Sequence, residues 1–168
     1  MRTDRHILRR EWENVRAAIA RVIREEHLAP ATFRSLSIYE NWDAIEENIY
    51  HTFCKLTSPT TRPVWLWERF KLDAFGVVVD YGSTCRILQK LIEPHETVWF
   101  FVNGNHNKFW FYEGQINSIL TVIGESYHLD ELYIASKKYE WLLCITYHNV
   151  LYATGGSMPD RLRQLENK

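Results

Sequence analysis

Four carboxylate side chains lie close together in the first third of the sequence, at Glu40, Asp43, Glu46 and Glu47. Acids in the first turns of a helix are stabilised by the positive end of the helix dipole, which gives them a structural explanation. Crowded together, they also form a compact negative patch of the kind that attracts a basic partner. Both interpretations stay open at the level of the sequence.

Motifs for common catalytic chemistries are absent from the sequence. It has no P-loop, no G-x-G-x-x-G turn, no H-E-x-x-H helix, no nucleophile elbow and no EF-hand loop. Its cysteines, Cys54, Cys85 and Cys144, are far apart, so we expect reduced, mostly buried thiols rather than disulfides or zinc ligands. The histidines that could join a metal site are isolated from one another: His106, His128 and His148. We therefore predict no catalytic residue, no metal site and no cofactor, and the sequence leans away from an enzyme.

One set of residues keeps a second function open. Tyr112, Glu140 and His148 could line a pocket whose floor is a sheet. Such a pocket would make the protein a small enzyme or a binder of nucleotides or other small ligands.

Aromatic side chains are unusually abundant, with 7 Trp, 9 Tyr and 8 Phe. Most of them can fill a core, because each buries on the order of 150–250 Å². Trp65 and Trp67 lie in a segment whose neighbouring positions are also apolar, and a small sheet cannot bury both faces of every strand. Some rings are therefore expected at the surface, where Trp and Tyr often anchor protein interfaces.

Length and charge limit the classes of partner. A chain of 168 residues is predicted to form a single domain, residues 1–168. The net charge of -1 provides no basic field for nucleic acid, so we expect no direct nucleic-acid binding. Apolar runs are too short for a signal peptide or a membrane span. The expectation is a cytoplasmic protein with a protein partner and no membrane contact; a homodimer stays open.

Two helices are predicted in the first half of the chain. The first covers residues 4–27, where Leu8, Trp12, Val15, Ile19 and Val22 form one apolar stripe. The second covers about Tyr39 to Leu56, with Trp42, Ile45 and Ile49 facing inwards. By this reasoning Asp43, Glu46 and Glu47 lie on the solvent side of the second helix.

The middle of the chain is predicted to alternate between strands and helices. Val64 to Phe70 favours a strand, although a helical turn is possible, and Gly76 to Asp80 is a β-branched strand. Ser83 can cap a helix that ends before Pro94. The segments Thr97 to Val102 and Lys108 to Glu113 form a hairpin.

The C-terminal part of the chain is predicted to contain a short helix, three strands and a last short helix. The strands lie between Glu131 and Gly156, and the middle one is apolar on both faces, so Trp141 is expected to be buried there. This order predicts the α+β class, with two N-terminal helices packed on a mainly antiparallel sheet of about 5–6 strands and a short C-terminal helix.

Two stretches resemble known families. The segment ENWDAIEENI, Glu40 to Ile49, resembles the helix with which barstar-like inhibitors contact a ribonuclease. That resemblance implies a role for Asp43 as the main acidic contact, with Glu46 and Glu47 beside it. The region Val64 to Gly156 resembles a family of uncharacterised small bacterial proteins, a resemblance that implies no chemistry.

These observations lead to one expected function and one alternative. We expect a non-enzymatic protein-binding domain, in the form of an immunity or inhibitor protein that neutralises a basic toxin or nuclease. Its contact residues would be Asp43, Glu46, Glu47, Trp65 and Trp67. The alternative is the small enzyme or ligand-binding protein described above.

Overall fold

The fold is seen in a computed structural model that describes residues 14–37, 39–103, 108–126 and 129–168. Within them, one sheet of seven strands carries helices on both faces, and every neighbouring pair of strands is antiparallel. The predicted α+β class is confirmed. In chain order the strands are β1 (Phe33–Ser35), β2 (Ala74–Val78), β3 (Val98–Asn103), β4 (Phe109–Gly114), β5 (Leu132–Ala135), β6 (Leu142–Ile145) and β7 (Val150–Thr154).

The spatial order of the strands is β1-β4-β3-β5-β6-β7-β2. Five α-helices and one 3-10 turn lie within the described residues. They are α1 (Val15–Glu25), α2 (Trp42–Phe53), the 3-10 turn Leu66–Glu68, α3 (Tyr81–Leu91), α4 (Ile116–Glu125) and α5 (Met158–Glu166).

Side chains alternate along each strand, so the sheet supports two separate cores. The first face carries α1, α3, α4 and α5, which bury an aliphatic core against strand residues such as Phe100 and Ile134. The second face carries α2 and the 3-10 turn over a largely aromatic core. In that core Phe101 stacks on Tyr133 at 4.9 Å between ring centroids and on Phe111 at 5.0 Å. The two N-terminal helices pack on the sheet as predicted, one on each face.

Two of the helices, α1 and α3, begin with a side-chain cap. Asn14 caps α1 by accepting a hydrogen bond from the N–H of Ala17, and the predicted first turns over residues 4–13 lie outside the described residues. At α3 the cap is Asp80 rather than Ser83. The Asp80 carboxylate accepts from the N–H of Ser83, whose hydroxyl accepts from the N–H of Asp80 in return. These bonds hold the pKa of Asp80 below its usual value.

Two predictions in the first half need correction. The segment 64–70 contains the 3-10 turn instead of a strand, because the N–H groups of Glu68 and Arg69 bond the carbonyls of Trp65 and Leu66, three residues earlier. The strand β1 was not predicted, since three residues are too short to show an alternating pattern. This strand brings the sheet to seven strands, above the predicted 5–6.

The predicted strands of the second half are confirmed. β3 and β4 pair along their whole length, from Val98 opposite Gly114 to Asn103 opposite Phe109. β5, β6 and β7 continue from β3 as antiparallel neighbours. Trp141 is an exception to the expectation, because it lies just before β6 and is half-buried.

None of the helices formed by the described residues is both long and apolar enough to cross a membrane.

Candidate functional site

A compact loop, residues 55–69, crosses the second face between α2 and β2. Its ends are held together by backbone hydrogen bonds, from Lys55 N–H to the Arg69 carbonyl at 2.7 Å and from Lys71 N–H to the Phe53 carbonyl at 3.0 Å. Cys54 and Phe70 form an isolated β-bridge at the same place. We call this segment the 55–69 loop.

Buried contacts fix the centre of the 55–69 loop on the sheet. Leu66 is fully buried, and its backbone N–H donates to the Tyr133 hydroxyl at 3.3 Å. The Tyr133 hydroxyl donates in turn to Glu131 Oε2 at 3.1 Å. Trp67 donates its indole N–H to Glu131 Oε1 at 3.0 Å, and its ring stacks on Tyr152. Burial raises the pKa of Glu131 although both hydrogen bonds oppose that shift.

Next to these buried anchors, three apolar side chains face solvent. Trp65 is 41% exposed, Tyr147 48% and Val64 37%. The rings of Trp65 and Tyr147 are in contact, with 6.4 Å between centroids. We call these three residues the Trp65 surface. It contains an exposed aromatic pair, Trp65 from the 55–69 loop and Tyr147 from the turn after β6.

A cleft of about 290 Å³ opens beside the Trp65 surface, lined by three cationic side chains, Lys55, Arg62 and Arg69. The acid in its lining is Glu68. Arg62 forms a 3.8 Å ion pair with Glu46, whereas Lys55 and Arg69 form no ion pair with any described carboxylate. We call it the basic cleft, because positive charge is in excess there.

The residues of the predicted acidic patch differ in their exposure to solvent. Asp43 and Glu47 are exposed on α2, as expected. Glu46 is only 5% exposed and accepts a hydrogen bond from the Tyr50 hydroxyl at 2.7 Å, so its predicted exposure is wrong. The physical reason is helical periodicity: Glu46 lies four residues after Trp42 and three before Ile49, which places it on the same inward side.

Glu40 also belongs to an internal network. Its carboxylate accepts two hydrogen bonds from the Arg34 guanidinium, at 2.6 and 3.0 Å, and one from the N–H of Ser37. These bonds lower the pKa of Glu40 to about 2. Arg34 also bonds Glu113, the residue opposite it on β4, and Glu113 pairs in turn with Lys137. Glu40 therefore closes the turn before α2 and is not a free surface charge.

The alternative pocket residues are not brought together. Tyr112 is buried on the first face, where its ring stacks on Phe33 at 5.3 Å, and burial raises its pKa to about 12. Glu140 and His148 are exposed at opposite ends of β6. His148 lies in the turn before β7, where Asn149 has a φ of 59°. The described residues contain no group of three or more His, Cys, Asp or Glu arranged to hold a metal ion.

Sequence reasoning missed the basic cleft and the contact of Trp65 with Tyr147. Lys55, Arg62 and Arg69 recur every seven residues, but Pro59 and Pro63 interrupt the segment and no α-helix forms there, so only the closing of the loop brings them together. The available signal was the two-proline composition of 57–63, which predicts a loop but no charge cluster.

Comparison with known proteins gives a family and no function. No curated protein and no solved structure matches the chain. The barstar-like resemblance of residues 40–49 finds no support in these comparisons. A family model described as "Family of unknown function (DUF6756)" matches residues 11–166, which is most of the chain. The chain therefore belongs to the DUF6756 family of unknown function.

Proposed function

We propose that this protein is a non-enzymatic protein-binding domain whose contact site is the Trp65 surface. The observation that carries the proposal is the exposed pair of Trp65 and Tyr147, whose ring centroids are 6.4 Å apart. Trp65 belongs to a loop whose two ends are joined by backbone hydrogen bonds. Exposed aromatic side chains lose little conformational entropy on binding and bury a large area, so they dominate many interfaces.

The anchoring of the loop supports this role. Leu66 and Trp67 follow Trp65 directly in the sequence and are held by the hydrogen bonds to Tyr133 and Glu131. A partner would therefore meet a ring whose backbone is already ordered, which lowers the entropic cost of association. Trp67, predicted as a second contact residue, serves in this proposal as the internal anchor rather than as the contact.

The charge beside the Trp65 surface indicates the class of partner. The basic cleft carries Lys55, Arg62 and Arg69 against one lining acid, Glu68. An acidic protein segment would complement this charge, and such complementarity raises association rates and suppresses wrong partners. We therefore propose that the partner presents acidic residues around an apolar centre.

A second candidate keeps the expected inhibitor role. Asp43 and Glu47 are exposed one helical turn apart on α2. They could contact a basic toxin or nuclease, in which case the protein would be an immunity or inhibitor protein. Two of the three expected acids remain for this contact, since Glu46 is buried. The two candidates differ in the sign of the partner's charge, so charge reversal separates them.

The test is affinity capture from cells of the source organism with matched variants. Trp65→Ser removes the ring, and the control Val78→Ser changes a side chain that is 83% exposed on the edge strand β2. We expect the parent and the Val78→Ser variant to capture a partner that the Trp65→Ser variant does not capture. The affinity is then measured with the purified partner. Lys55→Glu with Arg69→Glu should then abolish binding, whereas Asp43→Lys with Glu47→Lys should not. Equal capture by parent and Trp65→Ser would refute the Trp65 surface, and loss only with the α2 variants would support the inhibitor role instead.

A further inference from the structure

A second cleft, of about 220 Å³, lies at the edge of the sheet where β1 does not reach the first residues of β4. β3 pairs with β4 from Phe109 to Gly114, but β1 pairs only with the last three of these residues. Leu36 donates its N–H to the Phe111 carbonyl, and the chain then leaves the sheet. We call the resulting gap the β4-edge cleft.

The walls of the β4-edge cleft are aromatic on both faces of the sheet. Trp110 and Tyr112 belong to the first face, and Phe109 and Phe111 belong to the second. Trp42, at the start of α2, closes the second-face side. A flat ligand could therefore pack against an indole ring on either side of the sheet edge.

Two cations reach into the same cleft. The Arg16 guanidinium carbon lies 4.6 Å from the centroid of the Trp110 ring. The Lys108 ammonium lies 4.7 Å from the Trp110 ring and 5.7 Å from the Trp42 ring. Neither cation forms an ion pair with a carboxylate in the described parts of the chain. Contact with a ring attracts a cation without neutralising it, so the cleft keeps a positive potential.

Backbone and side-chain hydrogen-bonding groups also line the β4-edge cleft. Backbone direction alternates along an antiparallel strand, and the Phe111 carbonyl points to the β1 side. The N–H and C=O of Phe109, two residues earlier, therefore point to the same side, beyond the last residue that pairs with β1. Ser35, the last residue of β1, also lines the cleft. Hydrogen-bonding groups therefore line the same cleft as the two cations.

We propose that the β4-edge cleft binds a small anion that carries a planar aromatic ring, with the ring against Trp110 or Trp42 and the anionic group between Lys108 and Arg16. Nucleoside monophosphates and aromatic carboxylates share this chemistry. An added peptide strand is disfavoured, because Phe109 alone would provide unpaired backbone groups for it on β4. The β4-edge cleft shares no residue with the Trp65 surface, so the test of one proposal does not decide the other.

The test is isothermal titration calorimetry of the full chain with two matched ligand pairs. The first pair is 5′-AMP and adenosine, and the second is 2-naphthoate and 2-naphthamide. We expect at least one anion to bind, and its neutral analogue to bind about tenfold more weakly, since a charge-assisted hydrogen bond adds roughly that factor. Binding by 5′-AMP alone would assign a phosphate ligand, and binding by 2-naphthoate alone a carboxylate.

Matched variants locate the site. Lys108→Met keeps the length of the side chain and removes its charge, so it should reduce the preference for the anion. Lys137→Met is the control, because Lys137 also lies over an indole ring, 4.4 Å from Trp99, but outside the cleft. At least one of Trp110→Leu and Trp42→Leu should weaken binding of both the anion and its neutral analogue, because each removes an indole ring on which the ligand can pack. Thermal unfolding checks that each variant is folded. The proposal is overturned if no anion binds at millimolar concentration, if the neutral analogues bind equally well, or if Lys108→Met behaves like Lys137→Met.

Discussion

Trp67 donates its indole N–H to the buried carboxylate of Glu131, with 3.0 Å between the nitrogen and Oε1. This bond ties the 55–69 loop to the residue that precedes β5. Glu131 is 4% exposed and no cation pairs with it among the described residues, so its negative charge is held by neutral donors alone. Stability and loop position should therefore depend on the protonation of Glu131.

The first prediction concerns pH. The pKa of Glu131 is raised in the folded protein, above about 4.3 in the unfolded chain. At pH values between the unfolded and the folded pKa, the folded state therefore binds more protons than the unfolded chain. The contribution of Glu131 to stability is then lost as pH rises through its folded pKa. Glu131→Gln stays neutral and can still accept a hydrogen bond. We expect its stability relative to the parent to increase from pH 4 to pH 7 in denaturant titrations.

The parent protein is the reference at each pH, because carboxyls with lowered pKa values, such as Asp80 and Glu113, are common to both proteins. A stability difference that stays constant across this range would show that Glu131 has the same pKa in both states.

The second prediction separates two acids on one helix. Glu46→Lys should destabilise the protein by about 3 kcal/mol, because it places a cation in a buried site and leaves the Tyr50 hydroxyl without its acceptor. Asp43→Lys, on the exposed side of α2, should change stability by less than about 1 kcal/mol. Chemical denaturation of both variants measures the difference. Equal effects would mean that Glu46 can turn out to solvent at little cost.

The third prediction concerns thiols. Cys54 and Cys144 are buried and Cys85 is partly exposed. Burial raises the pKa of Cys54 to about 12 and that of Cys144 well above its ordinary value, so neither forms a reactive thiolate at neutral pH. A disulfide reagent such as DTNB should label one thiol in the native protein and no thiol in the native Cys85→Ser variant. Rapid labelling of Cys144 in the native state would contradict its burial.

The fourth prediction compares two core positions. Phe100 is fully buried on the first face between Phe33 and Tyr112. Phe100→Ala should cost about 3–5 kcal/mol through lost transfer energy and a cavity. Trp141 is half-buried just before β6, so Trp141→Ala should cost less, about 2 kcal/mol. Equilibrium unfolding in urea ranks the two, and a larger loss for Trp141 would place the centre of the core elsewhere.

Much of the sheet could be predicted from the sequence, since strongly alternating or continuously apolar segments fix a strand locally. The hairpin of β3 and β4 and the three strands that follow are of this kind. The 3-10 turn could not be distinguished from a strand. The turn is three residues long, too short for its three-residue period to show in the sequence, and tertiary contacts such as the bond from the Leu66 N–H to the Tyr133 hydroxyl hold it in place.

The site was predicted less well than the fold, because surface position depends on tertiary contacts. Glu46 was wrongly assigned to the solvent side by helical periodicity, although its spacing of four residues from Trp42 and three from Ile49 places it on the buried side. The sequence predicts that some Trp rings are partly exposed but does not say which, and Trp65 is 41% exposed. Its neighbour in space, Tyr147, lies in the turn that follows β6, and no local pattern links the two.

The strand order has a consequence for synthesis of the protein. Five adjacent strands, β3 to β7, come from one continuous stretch of chain, Val98 to Thr154. β1 and β2 are made earlier, yet they add to its two edges, opposite Tyr112–Gly114 and Val150–Thr154. During synthesis, β1 and β2 therefore leave the ribosome before β4 and β7, the strands with which they pair. Their apolar side chains stay exposed until those strands have been made. We expect nascent chains that end before β3 to recruit chaperones, and pulsed hydrogen exchange during refolding to protect β3 to β7 before β1 and β2.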